Sequence, residues 1–108
     1  MAQRVESAGD VRAAHETEVA LHVAWLVSLA RAFRTPDGRR LRRDPDIRTA
    51  QVNLIRALLL ACADGTPLEE LRTRFIDPTL HESRVYEEED ALLTDTVELV
   101  ERHLACRA

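Results

Sequence analysis

The sequence has no lysine, few turn-forming residues and few cysteines. Only three glycines and four prolines occur among 108 residues, too few turn signals to connect many strands. Two cysteines cannot support a disulfide-based scaffold. All fifteen basic residues are arginine, and nineteen acidic residues bring the net charge to −4. This balance disfavours general nucleic-acid binding, in which a basic surface supplies most of the affinity.

A hydrophobic run long enough to span a bilayer is also lacking. The most apolar segment, residues 19–30, has twelve residues, whereas a membrane-spanning helix needs about 20. Residues 1–10 contain no apolar core of a secretory signal. We therefore expect a cytoplasmic protein with no membrane association, in which Cys62 and Cys106 are reduced thiols.

Helix-forming residues dominate what is present. Ala, Leu, Arg and Glu account for 56 of the 108 residues, a composition typical of long helices. Apolar residues recur at three- and four-residue steps, as on one face of a helix, at Ile47, Leu54, Leu58 and Ala61 and again at Tyr86, Leu93, Val97, Val100 and Leu104.

The sequence predicts an all-α fold, an antiparallel bundle of three long helices and one short helix. The expected helices cover about residues 11–33, 45–63 and 67–75, and from 78 or 86 to 106. Residues 1–10 are expected to form a flexible tail, and residues 11–108 a single helical domain.

Prolines predict where three of the helices begin. Asp44, Thr66 and Asp77 each precede a proline, and such residues cap helices that have proline at the first position. Thr66 and Glu69 also have the spacing of a capping box. Gly65 predicts the end of the preceding helix, because glycine readily adopts the left-handed conformation found there.

One face of the first helix carries candidate metal ligands or acid–base groups. His15, Glu18 and His22 are three and four residues apart, which places them on one face. Val11 and Leu29 lie in line with them, so this face is expected to contain the buried seam. Imidazole and carboxylate groups bind zinc or transfer protons. However, the sequence has no complementary Glu-x-x-His or His-Glu-x-x-His motif.

The alternative interpretation of this face is structural. In that interpretation His15 and Glu18 extend past the core into water, and His22 is a boundary histidine with its hydrogen bonds satisfied. We favour it, because a ligand motif without its complement is weak evidence for a site. Accordingly, we expect neither a metal nor another cofactor.

Four arginines fall within five residues between the first two helices. Arg39, Arg40, Arg42 and Arg43 are suited to pair with phosphates or with an acidic protein partner. The alternative is a solvated loop, neutralised in part by neighbouring aspartates. Residues 87–90 are all acidic, and their favourable interaction with a helix N-terminus explains them without a ligand.

Residues 58–75, Leu-Leu-Leu-Ala-Cys-Ala-Asp-Gly-Thr-Pro-Leu-Glu-Glu-Leu-Arg-Thr-Arg-Phe, resemble the first two helices of winged-helix regulators. The resemblance implies a recognition helix in residues 76–87 and DNA binding as the function. That segment leads into the acidic residues 87–90, which are poor neighbours for phosphates. DNA binding is therefore an alternative and not the favoured function.

The apolar segment 19–30 predicts self-association. Ten of its twelve residues are apolar, so it covers the whole circumference of a helix, whereas an outer helix of a monomer needs one apolar face. An uncovered apolar face usually marks an interface. Residues 54–63 are similar, with Arg56 as their one polar residue. We predict a homodimer built on the first and second helices, with the first helix as the central helix of a monomer as the alternative. The expected interface residues are Leu21, Trp25, Val27 and Leu29.

The sequence contains no complete active-site motif. It has neither a Gly-x-Ser-x-Gly elbow nor a glycine-rich phosphate loop. We predict a non-enzymatic helical protein that acts through self-association and partner binding, in a regulatory or accessory role. The alternatives are the DNA-binding regulator and a small helical enzyme or metal protein that uses His15, Glu18 and His22.

Overall fold

The computed structural model describes residues 8–32, 44–80 and 87–107, and within these ranges all regular structure is helical. The predicted all-α helical bundle is confirmed. Its elements are α1 (Ala8–Ala32), α2 (Pro45–Ala63), α3 (Leu68–Leu71), a π-helical turn (Arg72–Ile76), α4 (Asp77–Leu80) and α5 (Glu87–Arg107).

Helix α1 lies antiparallel to α2. Its first turns contact the residues that follow α2, since Arg12 bonds to Thr66 and His15 to Asp64. The helix begins at Ala8, inside the segment predicted to be a tail, and residues 1–7 lie outside the described residues. Its fully buried side is made of Val19, Val23, Leu26, Val27 and Ala30.

The predicted start of α2 is confirmed. The Asp44 carboxylate accepts hydrogen bonds from the backbone N–H groups of Asp46 (2.9 Å) and Ile47 (3.3 Å). These bonds satisfy amides that have no partner within the helix. Pro45 occupies the first helical position, where a missing N–H costs nothing.

The predicted end of α2 is also confirmed. Gly65 has φ +104°, a conformation that residues with a Cβ rarely adopt. The Gly65 amide donates to the Cys62 carbonyl and the Thr66 amide to the Ala61 carbonyl. This pair of bonds is the Schellman motif, which satisfies the last carbonyls of the helix.

The predicted capping box at Thr66 is wrong. The Thr66 amide bonds to Ala61 rather than to Glu69, and α3 has no side-chain cap. Glu69 instead lies 3.9 Å from the guanidinium of Arg72. The Schellman motif takes the Thr66 amide, and Arg12 takes the hydroxyl.

The predicted helix start at Asp77 is also wrong. Asp77 has helical angles (φ −57°, ψ −41°), and its amide donates to the Arg72 carbonyl five residues earlier. The helix thus continues through Pro78, whose ring in a regular α-helix would clash with the carbonyl of Arg74. The π-helical turn directly before Pro78 widens the backbone at that point.

Helices α2 and α5 bury the seams predicted for them. Ile47, Leu54, Leu58 and Ala61 are buried, as are Leu93, Val97 and Val100, while Leu104 is half-buried. Tyr86 lies outside the described residues. Buried Thr96 joins the two helices, because its hydroxyl donates to the Leu92 carbonyl (2.8 Å) and accepts from Gln51 Nε2 (3.2 Å). No helix in the described ranges is both long and apolar enough to cross a membrane.

Candidate functional site

The second half of α1 carries apolar side chains on two opposite sides. Leu26, on the inner side, is 1 % exposed, whereas its neighbour Trp25 is 56 % exposed and Leu21 is 58 % exposed. Because residues four apart are neighbours on a helix surface, Leu21 and Trp25 form one continuous apolar patch. We call the exposed side of α1 that contains this patch the outer face.

Most side chains around the patch are short. The exposed residues near Leu21 and Trp25 on α1 are Ala14, Thr17, Ala24 and Ser28, together with the longer Glu18. The short side chains let a second helix approach closely, and Leu21 and Trp25 project between them. The outer face therefore has the ridges and grooves of a helix-packing surface.

Two of the predicted interface residues do not belong to the outer face. Val27 is 6 % exposed and packs in the core, so it does not lie on the exposed side of α1. Leu29 is half-buried and packs against the core. The periodicity of an all-round apolar segment does not distinguish its inner side, with Val27, from its outer side, with Leu21 and Trp25.

The structure separates His15 from Glu18 and His22. The His15 imidazole pairs with the Asp64 carboxylate. His22 Nε2 lies 3.2 Å from a Glu18 carboxylate oxygen. Among residues 8–32, 44–80 and 87–107, no group of three or more His, Cys, Asp or Glu side chains is arranged to hold a metal ion.

The expectation that these three residues lie along the buried seam is also wrong. Val11 and Leu29, which are in line with them, are only half-buried. The fully buried seam of α1 instead runs through Val19, Val23 and Leu26. His15 and His22 therefore lie at the edge of the core, and Glu18 is exposed.

A polar cluster that no sequence pattern indicates fixes the first half of α1. Arg12 Nε donates to the Thr66 hydroxyl at 2.7 Å, and Thr66 is 1 % exposed. The Arg12 guanidinium also lies 3.5 Å from the Glu70 carboxylate. Arg12 thus satisfies a buried hydroxyl that would otherwise be costly to desolvate.

The π-helical turn supplies the other side of this cluster. Arg74 Nη1 donates to the Glu16 carboxylate at 2.7 Å and lies 3.7 Å from Glu70. The Arg74 guanidinium also stacks over the Phe75 ring, 4.8 Å from its centroid, a favourable cation–π contact. Glu16 is 58 residues from Arg74 in the sequence, so no local motif predicts that contact.

Open grooves border α5 in the described part of the chain. One, of about 280 Å³, lies between α2 and α5, another, of about 360 Å³, lies between α5 and α4, and a third, of about 210 Å³, lies between α3 and α5. Each is lined by both acidic and basic side chains. The first groove is lined by Arg48, Gln51, Leu92, Asp95, Glu98, Leu99 and Arg102.

The cysteines are both free, as expected. Burial raises the pKa of the Cys62 thiol. A raised pKa keeps the thiol protonated, and the thiolate is the reactive form. Cys62 therefore behaves as a small core residue, whereas Cys106 is exposed.

Two predicted sites lie wholly or partly outside the described residues. The first is the arginine cluster, since the described residues include none of Arg39, Arg40, Arg42 and Arg43; its binding of an acidic partner stays a prediction. The second is the segment assigned to a DNA recognition helix. Its residues 81–86 lie outside the described residues, and Ile76 at its start is buried in the core. Comparison of the chain with protein-family models, curated proteins and solved structures gave no match.

Proposed function

We propose that this protein is a small non-enzymatic helical protein that acts through self-association, with the outer face of α1 as the contact surface. The observation that carries the proposal is the exposure of Leu21 and Trp25, at 58 % and 56 %. The resulting dimer would present its remaining surface to a partner in a regulatory or accessory role.

The polar residues of α1 favour a binding function over chemistry. The groups best suited to an acid–base or metal site are engaged within the fold: His15 pairs with Asp64, and Glu18 with His22. Arg12 bonds to Thr66 before α3, and Glu16 bonds to Arg74 in the π-helical turn after it. The outer face, by contrast, offers large apolar groups to the surroundings.

The size of the patch predicts a reversible dimer. Complete burial of a Leu-sized side chain contributes about 1.5–3 kcal/mol, and Leu21 and Trp25 are already partly covered. Two copies contribute four such side chains, and the free energy gained by burying them roughly offsets an association cost of about 4–15 kcal/mol. The small neighbours must therefore also pack well for the dimer to form.

The proposal is tested by sedimentation velocity over a range of protein concentrations. We expect a species of twice the 12.2 kDa chain mass that dissociates on dilution. Leu21→Glu and Trp25→Glu should each give a folded monomer, because a carboxylate would be buried without a partner.

Val52→Glu is the matched control. Val52 is 55 % exposed on α2, so it provides an equally exposed apolar side chain on a different helix. We expect this variant to associate like the wild type. A wild-type mass of 12.2 kDa at high concentration would overturn the proposal, as would dissociation by Val52→Glu but not by Trp25→Glu.

A further inference from the structure

We infer that two copies pair through α1 in an antiparallel orientation, about a two-fold axis near Val23, so that Leu21 of one protomer packs against the partner's Trp25. This inference rests on the proposed function and adds the geometry of the contact. It follows from the order of large, small and charged residues along α1.

The first argument is shape. In a parallel pair related by a two-fold axis, Trp25 would meet the partner's Trp25 at the same height, and the two large rings would hold the helices apart. In the antiparallel pair each Trp25 lies beside the smaller Leu21, so the side chains alternate. Thr17 then faces the partner's Ser28, and two short side chains allow the usual interaxial distance of about 8–10 Å.

The second argument is charge. Within the overlapping residues 14–32, Glu18 is the exposed carboxylate of the first half, and Arg31 is the one Asp, Glu or Arg residue in 21–32. An antiparallel pair places Glu18 beside the partner's half that contains Arg31. A parallel pair would place the two Glu18 carboxylates at the same height. Antiparallel helix dipoles favour the same orientation.

The third argument is compatibility with the rest of the fold. With the axis near Val23, Ala14 of one protomer lies opposite the partner's Ala32, so the overlap covers residues 14–32. Arg12, which holds the buried Thr66 hydroxyl, lies outside this overlap. The polar cluster and the contact between protomers can therefore exist together.

Disulfide trapping measures the orientation directly. In the antiparallel pair the α-carbons of Thr17 and the partner's Ser28 differ in height by about one residue, or ~1.5 Å. Identical positions are far apart, since Ser28 and the partner's Ser28 differ by about ten residues, or ~15 Å. A disulfide requires α-carbons within about 7 Å. In a parallel pair, Ser28 and the partner's Ser28 would be close, and Thr17 and the partner's Ser28 would be far apart.

The experiment uses Thr17→Cys and Ser28→Cys, each in a chain that also carries Cys62→Ala and Cys106→Ser. Both new positions are exposed, and circular dichroism checks that each chain folds. Under mild oxidation we expect a covalent dimer when the two variants are mixed and none from either variant alone. Intact-mass spectrometry identifies the two chains in the product.

The other outcomes separate the two proposals. A covalent dimer from Ser28→Cys alone, with none in the mixture, would overturn the antiparallel orientation and leave self-association through α1 intact. A protein that sediments as a dimer but forms no cross-link in any sample would overturn the inference about α1. A wild-type protein that sediments as a monomer would overturn the proposed function itself.

Discussion

The two halves of α1 are held in the bundle by different forces. In residues 8–18, side chains reach across to the α2–α3 connection and the π-helical turn through hydrogen bonds and ion pairs, as Arg12 does to Thr66. In residues 19–32, Val23 and Leu26 pack into an apolar core. Only the second half also has large apolar side chains on its outer face.

The polar contacts of the first half position α1, whereas the apolar contacts of the second half supply more of the folding free energy. Directional contacts such as Arg12 to Thr66 and Glu16 to Arg74 fix where α1 lies along its neighbours, but exposed ion pairs contribute little free energy. Burial of apolar area is the larger contribution. We propose that a second copy covers the apolar area that remains on the outer face.

Leu26→Ala is expected to have the largest effect, because it breaks the apolar half of the helix. Leu26 is 1 % exposed, and its truncation leaves a cavity that costs about 2–5 kcal/mol of unfolding free energy. Urea denaturation measures the loss. Val52→Ala, on the outside of α2, should cost less than about 0.5 kcal/mol. Equal losses in the two variants would contradict the core assigned here.

Arg12→Ala tests the polar half and should have an intermediate effect. The variant leaves the buried Thr66 hydroxyl without this donor, at a cost of about 1–3 kcal/mol. The double variant Arg12→Ala/Thr66→Val removes both groups and should recover part of the loss. Strictly additive losses in the double variant would show that the two side chains do not interact.

The Glu16–Arg74 pair should have the smallest effect. A double-mutant cycle with Glu16→Gln and Arg74→Gln is expected to give a coupling of about 0.2–1 kcal/mol, because the Arg74 side chain is half exposed. The coupling should fall at about 1 M salt, where charges are screened within a few ångströms. A salt-independent coupling would mean that the contact is not electrostatic.

The helix ends that depend on local chemistry were predictable. The Asp44 cap and the Gly65 terminus each involve residues within five positions of one another. The prediction at Thr66 failed because the Schellman motif takes its amide and distant Arg12 takes its hydroxyl. The prediction at Asp77 failed because a π-helical turn lets the helix continue past this residue.

The candidate site was predictable only in part. An all-round apolar helix indicates that some of its surface needs a partner, but periodicity did not separate Trp25 from Val27. The inner side depends on which residues meet α2, and that contact joins segments distant in the sequence. The His15 pairing with Asp64, 49 residues away, was unpredictable for the same reason.

The most direct test of self-association through the outer face is the fluorescence of Trp25, the single tryptophan of the chain. Emission spectra recorded over a dilution series report the environment of this indole while sedimentation reports the mass. We predict that emission shifts to shorter wavelength as the dimer forms, and that Leu21→Glu abolishes the shift. A doubled mass with the emission of a solvent-exposed indole would contradict the account, because the chains would then associate through another surface.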